Sequence, residues 1–241
     1  MIFFRPHRAL LAITCAFSAC TALVSPIRAQ TVIAAASSPD RFNRLRDYAA
    51  RPYTANAPVS PDVFGTAAVG AGVTFYDARF RRVSLADRAD PGVLAIASML
   101  RGLDPATQLA TVQREVLSRV KWAHDLDNMH VADFWSNAGE TLTRGTGDSE
   151  DIAIVEMQAL KAAGFSSRDL YISIGREKQV GAHIVLLART PSGFIVLDDR
   201  IGTPMAAQDN HLFTPVFTIG EGKSWVHGRR IWGMALHARS R

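Results

Sequence analysis

The sequence predicts an α+β domain in which N-terminal helices pack on an antiparallel β-sheet. Helix signals cluster between positions 90 and 164, and strand signals follow from 170 to 198. Helices and strands segregated in this way are the mark of the α+β class. The last two strands are joined by Thr190-Pro191-Ser192-Gly193, a hairpin turn that makes them antiparallel neighbours. A chain of 241 residues, 48% of them hydrophobic, can bury a core without staples, so a disordered or collagen-like chain is excluded.

The first 29 residues read as an export leader. Arg5, His7 and Arg8 form a basic start, an apolar run spans 9–24, and Ser25-Pro26-Ile27-Arg28-Ala29 supplies a small-residue cleavage site. The apolar run is short for a membrane span. A lipoprotein reading would use Cys20, but the bulky Phe17 fits it poorly. The full chain carries a net charge of +5, and its pI near 9.6 invites a nucleic-acid reading. Removing the leader's three arginines from 27 basic residues leaves 24 against 22 acidic ones, a net of +2. No basic patch interleaved with aromatics remains, so no nucleic-acid partner is expected. Cys15 and Cys20 both leave with the leader, which suits an oxidising compartment and forbids thiol catalysis in the mature chain.

Residues 30–72 form a poorly patterned N-terminal segment. A short helix is expected over 40–51, stopped by Pro52. Pro58, Pro61, Gly65, Gly70 and Gly72 then read as loop. The main domain is expected over 73–241, opening on strand-like patches at 73–84. Asp90-Pro91 starts a helix through Leu100, with Gly102 as its stop. Asp104-Pro105 is a stronger start, an N-cap residue followed by Pro at the first helical position. Leu109, Val112, Val116 and Val120 then mark a buried face running to about 122. His124, Asp125, Asp127 and His130 read as a solvated helix end rather than a metal set. Trp135 and Trp225 read as core or rim aromatics.

The next helix carries the chemistry. Gly145-Thr146-Gly147 is a flexible turn, Asp148 an N-cap, and Glu150 and Asp151 place negative charge in the first turn. Ile152, Val155, Ala159, Leu160 and Ala163 form its apolar stripe, and Gly164 ends it. Ser149 therefore sits at the first turn of a buried helix. Strands are expected at 170–174, 183–189 and 194–198. Pairing Arg189 with Phe194 puts Val185 opposite Asp198, and His183 and Asp198 become diagonal neighbours on one face. A nucleophile at a helix start with His183 and Asp198 on adjacent strands is triad-like. A Gly-Asp-Ser esterase reading fails on order: the serine lies mid-chain and Asp209-Asn210-His211 has the wrong spacing.

Gly147-Asp148-Ser149-Glu150-Asp151-Ile152-Ala153 resembles the nucleophile helix start of the bacterial transglutaminase-like cysteine proteinases, which reads Gly-Asp-Cys-Glu-Asp-aromatic-Ala. Asp133-Phe134-Trp135-Ser136-Asn137-Ala138-Gly139-Glu140 resembles the family's preceding segment. Ala182-His183-Ile184-Val185-Leu186, Val196-Leu197-Asp198-Asp199 and Thr214-Pro215-Val216-Phe217 are similar to its later strands. The likeness runs from about position 116 to 232. It implies a papain/transglutaminase-like fold, an envelope location and peptide cleavage by a Cys-His-Asp triad. The best understood members are periplasmic, calcium-dependent proteases that release large surface adhesins. By position, His183 would be the base and Asp198 its orienting acid, while Asp148 and Glu150 would be linked to calcium.

This chain departs from the family at the nucleophile, where Ser149 stands in place of cysteine. A smaller departure is Asp199, where the family often has Asn. The expected function is an exported, periplasmic or secreted peptidase homologue, impaired or inactive in catalysis. It would bind an envelope peptide or protein, such as a surface adhesin or a membrane receptor. The alternatives are an active serine hydrolase using Ser149, His183 and Asp198, and a purely structural envelope protein.

Overall fold

A computed structural model describes residues 58–84 and 89–229. The leader at 1–29 with Cys15 and Cys20, the helix expected over 40–51, and Trp232 lie outside the described residues. The elements are β1 (Ala67–Ala71), α1 (Phe75–Ser84), α2 (Pro91–Leu100), α3 (Pro105–Arg119), β2 (Lys121–Trp122), α4 (Asp125–Met129), α5 (Ala138–Arg144), β3 (Thr146–Gly147) and α6 (Ser149–Ala162). They continue with a 3-10 turn (Ser167–Asp169), β4 (Leu170–Glu177), β5 (Gly181–Thr190), β6 (Gly193–Leu197), β7 (Met205–Ala206), β8 (Phe213–Gly220) and β9 (Lys223–Gly228).

The caps follow the sequence logic. Asp90 Oδ1 accepts from the amides of Gly92 and Val93 at 2.8 and 3.0 Å, and Asp104 Oδ1 accepts from Ala106 and Thr107, both at 3.1 Å. Proline at the first helical position has no amide to satisfy. Asn137 and Glu140 form a capping box for α5, a helix that periodicity over seven residues is too short to reveal.

Seven antiparallel strands form one sheet in the order β1-β9-β8-β4-β5-β6-β7. One face carries Leu170, Ile172, Ile184, Leu186, Ala188 and Ile219 against the helices, with Ile152, Val155, Met157 and Leu160 of α6 at the centre. The opposite face carries Tyr171, Val185, Leu187, Val196 and Trp225 in a second, smaller cluster. Burial on both faces explains why these strands read as continuous apolar runs rather than alternating ones. Trp135 and Trp225 are both core residues, 2% and 1% exposed.

Two expectations are corrected here. The stretch over 73–84 is a helix, not strand-like: Asp77 holds its start by accepting from the Thr74 amide, and Phe80 and Val83 bury at helical spacing. The glycine-punctuated stretch read as loop ends in an edge strand, β1, pairing Val69 with Val226 of β9. Small residues there lack the alternation that marks a strand, and only the partner specifies it.

Candidate functional site

The site lies where the start of α6 meets the end of the β5–β6 hairpin. Arg189 pairs with Phe194 as the turn signature predicts, and the ladder runs as far as Leu186 with Leu197. Beyond it, His183 Nε2 lies 2.9 Å from Asp198 Oδ1. His183 Nδ1 lies 3.1 Å from Ser149 Oγ. All three side chains are buried, with Ser149 9%, His183 4% and Asp198 3% exposed. The three residues singled out from the sequence therefore form one hydrogen-bonded chain.

Neighbouring groups hold it in place. Gln113 of α3 donates from Nε2 to the Asp198 carbonyl at 2.8 Å, and the Arg200 amide donates to Asp198 Oδ1 at 3.0 Å. The His183 ring meets Phe213 edge-on, centroids 6.1 Å apart. Asp199 lies on the same side of the imidazole, its Oδ1 3.8 Å from His183 Nε2. Burial pushes the Asp199 carboxyl up, while His183 and the Ser149 hydroxyl oppose that rise.

The acidic residues beside Ser149 do more than the dipole argument assigned to them. Asp151 is a buried structural acid: Ser136 donates its amide to Oδ1 at 2.8 Å and Arg144 donates to Oδ2 at 2.7 Å. Burial still pushes it up to about 6. These bonds tie the 133–137 loop to α6. Asp148 occupies the N-cap position, but its side chain makes no cap hydrogen bond, contrary to expectation.

Asp148 instead joins Glu150 and Asp125. Carboxylate oxygens of the three lie within 4.8 Å of one another. Asp125 comes from a segment read as a solvated helix end, yet it is 2% exposed. A two-residue parallel bridge brings it there, pairing Lys121 with Thr146 and Trp122 with Gly147. The Lys121 amide bonds the Gly145 carbonyl at 3.0 Å and the Ala123 amide bonds Gly147 at 2.9 Å. Bridge pairing 25 residues apart leaves no local pattern, so the sequence favoured a solvated helix end for Asp125 over the metal ligand it also allowed. His124 and His130 stay out of the cluster; His124 packs its ring on Trp122.

Burial and the charges of Asp125 and Asp151 push Asp148 up to about 7. Burial and Asp148 push Glu150 up to about 9. Asp125 Oδ1 and Asp148 Oδ1 are buried without a hydrogen-bond partner. Orphaned, mutually repelling carboxylate oxygens at close range are what a hard divalent cation satisfies, so this all-oxygen set fits calcium.

Residues 96–211, which include Ser149, His183 and Asp198 as well as Asp125, Asp148 and Glu150, match the family model of the bacterial transglutaminase-like cysteine proteinases. Those residues are similar to that family, in the order and spacing of its motifs. Among solved structures, Legionella pneumophila LapG in its EGTA-treated form is 21% identical at a TM-score of 0.51, over 65% of this chain and 87% of that one. Calcium-bound LapG from the same organism is 20% identical at 0.51, over 66% of this chain and 93% of that one. No curated protein matches by sequence. The likeness to LapG confirms the transglutaminase-like proteinase fold expected from the residues around Ser149.

Proposed function

We propose that this chain is an exported transglutaminase-like peptidase homologue with impaired or lost peptide cleavage, which binds an envelope peptide or protein at the Ser149 site. The observation that carries the reading is a hydroxyl in a complete, hydrogen-bonded His–Asp setting, with Ser149 Oγ 3.1 Å from His183 Nδ1. A cysteine in such a setting is stored as a thiolate, stabilised by imidazolium and helix N-terminus. Serine has no such stored form and must lose its proton to His183 as the new bond forms.

Asp125, Asp148 and Glu150 would hold calcium through their carboxylate oxygens. Held there, calcium would supply positive charge beside the start of α6, while Asp125 and Asp148 would tie their two segments together across it. The basic, apolar and small-residue order of 1–29 supports export to the periplasm. The partner class is an extended segment of an envelope protein, such as a surface adhesin or a membrane receptor.

A second reading, a working serine hydrolase, is favoured by the unbroken Ser149–His183–Asp198 chain. Extended fluorogenic peptides, offered in calcium buffer to the unmodified protein and to Ser149→Cys, decide between them. The proposal expects turnover by Ser149→Cys and little or none by the unmodified chain. Robust turnover by the unmodified chain that vanishes in His183→Ala overturns impairment and establishes the serine hydrolase.

A further inference from the structure

The hairpin end that holds His183 carries more carboxylate than a His–Asp pair uses. Asp198 Oδ1 lies 2.9 Å and Asp199 Oδ1 3.8 Å from His183 Nε2. The three side chains are 3%, 3% and 6% exposed. Asp199 Oδ1 is buried and has no hydrogen-bond partner, although it faces the same edge of the imidazole as Asp198. An unpartnered buried carboxylate oxygen costs free energy unless a ligand satisfies it. Glu156 of α6 stands behind the pair, wholly buried, with Oε1 also unpartnered.

One imidazole nitrogen and two carboxylate oxygens lie here within 4.8 Å of one another. Zinc sits about 2.05 Å from such ligands. Ligand pairs 2.9 and 3.8 Å apart then subtend about 90° and about 136° at the ion. Both angles are open to a distorted four- or five-coordinate site.

We propose that His183, Asp198 and Asp199 form a second metal site, one that takes a zinc-type divalent ion. The nitrogen donor separates it from the all-oxygen set of Asp125, Asp148 and Glu150: imidazole suits zinc and its neighbours, carboxylate alone suits calcium. With the Nε2 lone pair on the metal, the ring's proton resides on Nδ1 and is donated to Ser149 Oγ, 3.1 Å away. Ser149 then orients the ligand from outside the coordination sphere, which a serine oxygen does better than a weakly accepting thiol. The inference does not depend on whether the triad cleaves peptides, since ligation needs only the geometry of the three side chains.

Isothermal titration of the purified, untagged chain with zinc chloride, in buffer holding saturating calcium to fill the all-oxygen site, tests it. The expected result is one zinc per chain. His183→Gln weakens binding at least about 100-fold, Asp199→Asn at least about tenfold, and Ser149→Ala about tenfold through the lost outer bond. Asp148→Asn loses the response to calcium and keeps zinc affinity within about threefold, as expected of independent sites. Cobalt(II), used as a coloured substitute, gives visible bands that His183→Gln removes. Absence of zinc binding by the unmodified chain overturns the proposal, as does unchanged affinity in a folded Asp199→Asn. Should His183→Gln fail to fold by circular dichroism, Asp199→Asn decides, because it replaces one oxygen by an amide of the same shape.

Discussion

His183 Nε2 and Asp198 Oδ1 meet at 2.9 Å although neither residue lies within the paired part of its hairpin, whose ladder stops at Leu186 and Leu197. Freed from the ladder, Asp198 turns its carboxylate back toward the strand, and Gln113 holds its carbonyl from the helical layer. The contact is thus set by three elements, β5, β6 and α3.

Placing a thiol at position 149 should show whether this setting stabilises a thiolate. In Ser149→Cys, iodoacetamide should alkylate the new thiol at pH 6 at least about ten times faster than free cysteine, since the helix start and His183 favour thiolate. Adding His183→Ala should return the rate toward that of a free thiol. A slow, His183-independent rate would show that the site does not stabilise a thiolate.

Calcium should stabilise the fold through Asp125. At 100 times its dissociation constant a ligand of the native state adds about 2.7 kcal/mol. Melting in calcium and in EGTA should therefore differ by several degrees. Asp125→Asn should abolish that difference while raising the melting point in EGTA, because it removes the charge that opposes ionisation of Asp148. Unchanged calcium stabilisation in Asp125→Asn would remove this residue from the ligand set.

Gly175 sits where the pairing of β4 with β8 shifts register, and it lies opposite His183 on β5. A Cβ there would meet the Thr214 carbonyl oxygen at 2.3 Å and Pro215 Cα at 2.9 Å. Backbone atoms cannot step aside as a side chain can. Gly175→Ala should cost about 2–3 kcal/mol in urea unfolding, with the melting midpoint lowered accordingly.

Arg144 neutralises Asp151, whose side chain is fully buried. Arg144→Met leaves that carboxylate without its ion partner and should cost about 3–5 kcal/mol. The double variant Arg144→Met, Asp151→Asn should recover part of the loss, since no lone buried charge remains. Equal losses in single and double variants would place the effect in Arg144's other bonds, to Thr146 and Ser136.

His227 should make the fold acid-sensitive. Its Nδ1 and Nε2 each lie 2.7 Å from a threonine hydroxyl, Thr66 and Thr218. Thr66 donates to the Val63 carbonyl, so it accepts from Nδ1, and Nε2 accepts from Thr218. Protonating Nε2 breaks that chain, and burial pushes the imidazole down to about 4. The unfolded chain takes up its proton near pH 6.5, the folded chain only near 4. Stability is complete above the unfolded value and falls as pH drops from about 6.5 to about 4, by about 2 kcal/mol after allowance for partial exposure. In His227→Gln this part of the pH dependence of urea unfolding should disappear.

Legibility followed the range of the interaction. The caps Asp90 and Asp104 act within three residues, and both helices start where the sequence places them. The Arg189–Phe194 register follows from a four-residue turn. Asp125 and β1 escaped because their partners, Asp148 and β9, lie far along the chain. Phe75 and Tyr76 resemble strand residues by type, and the Asp77 bond to the Thr74 amide with the burial of Phe80 and Val83 makes their segment helical.

The sequence by itself determined the α+β order, the helix that opens on Ser149, and the Arg189–Phe194 register that brings His183 and Asp198 to one end of the hairpin, because caps, turns and apolar periodicity are local physics. Tertiary structure decided which acids are charges at a helix start and which are a cluster. Asp151 became an ion-paired anchor, while Asp148 and Glu150 joined Asp125 across a two-residue bridge. Burial and long-range pairing set the energy of a carboxylate, and neither is written in its neighbours along the chain.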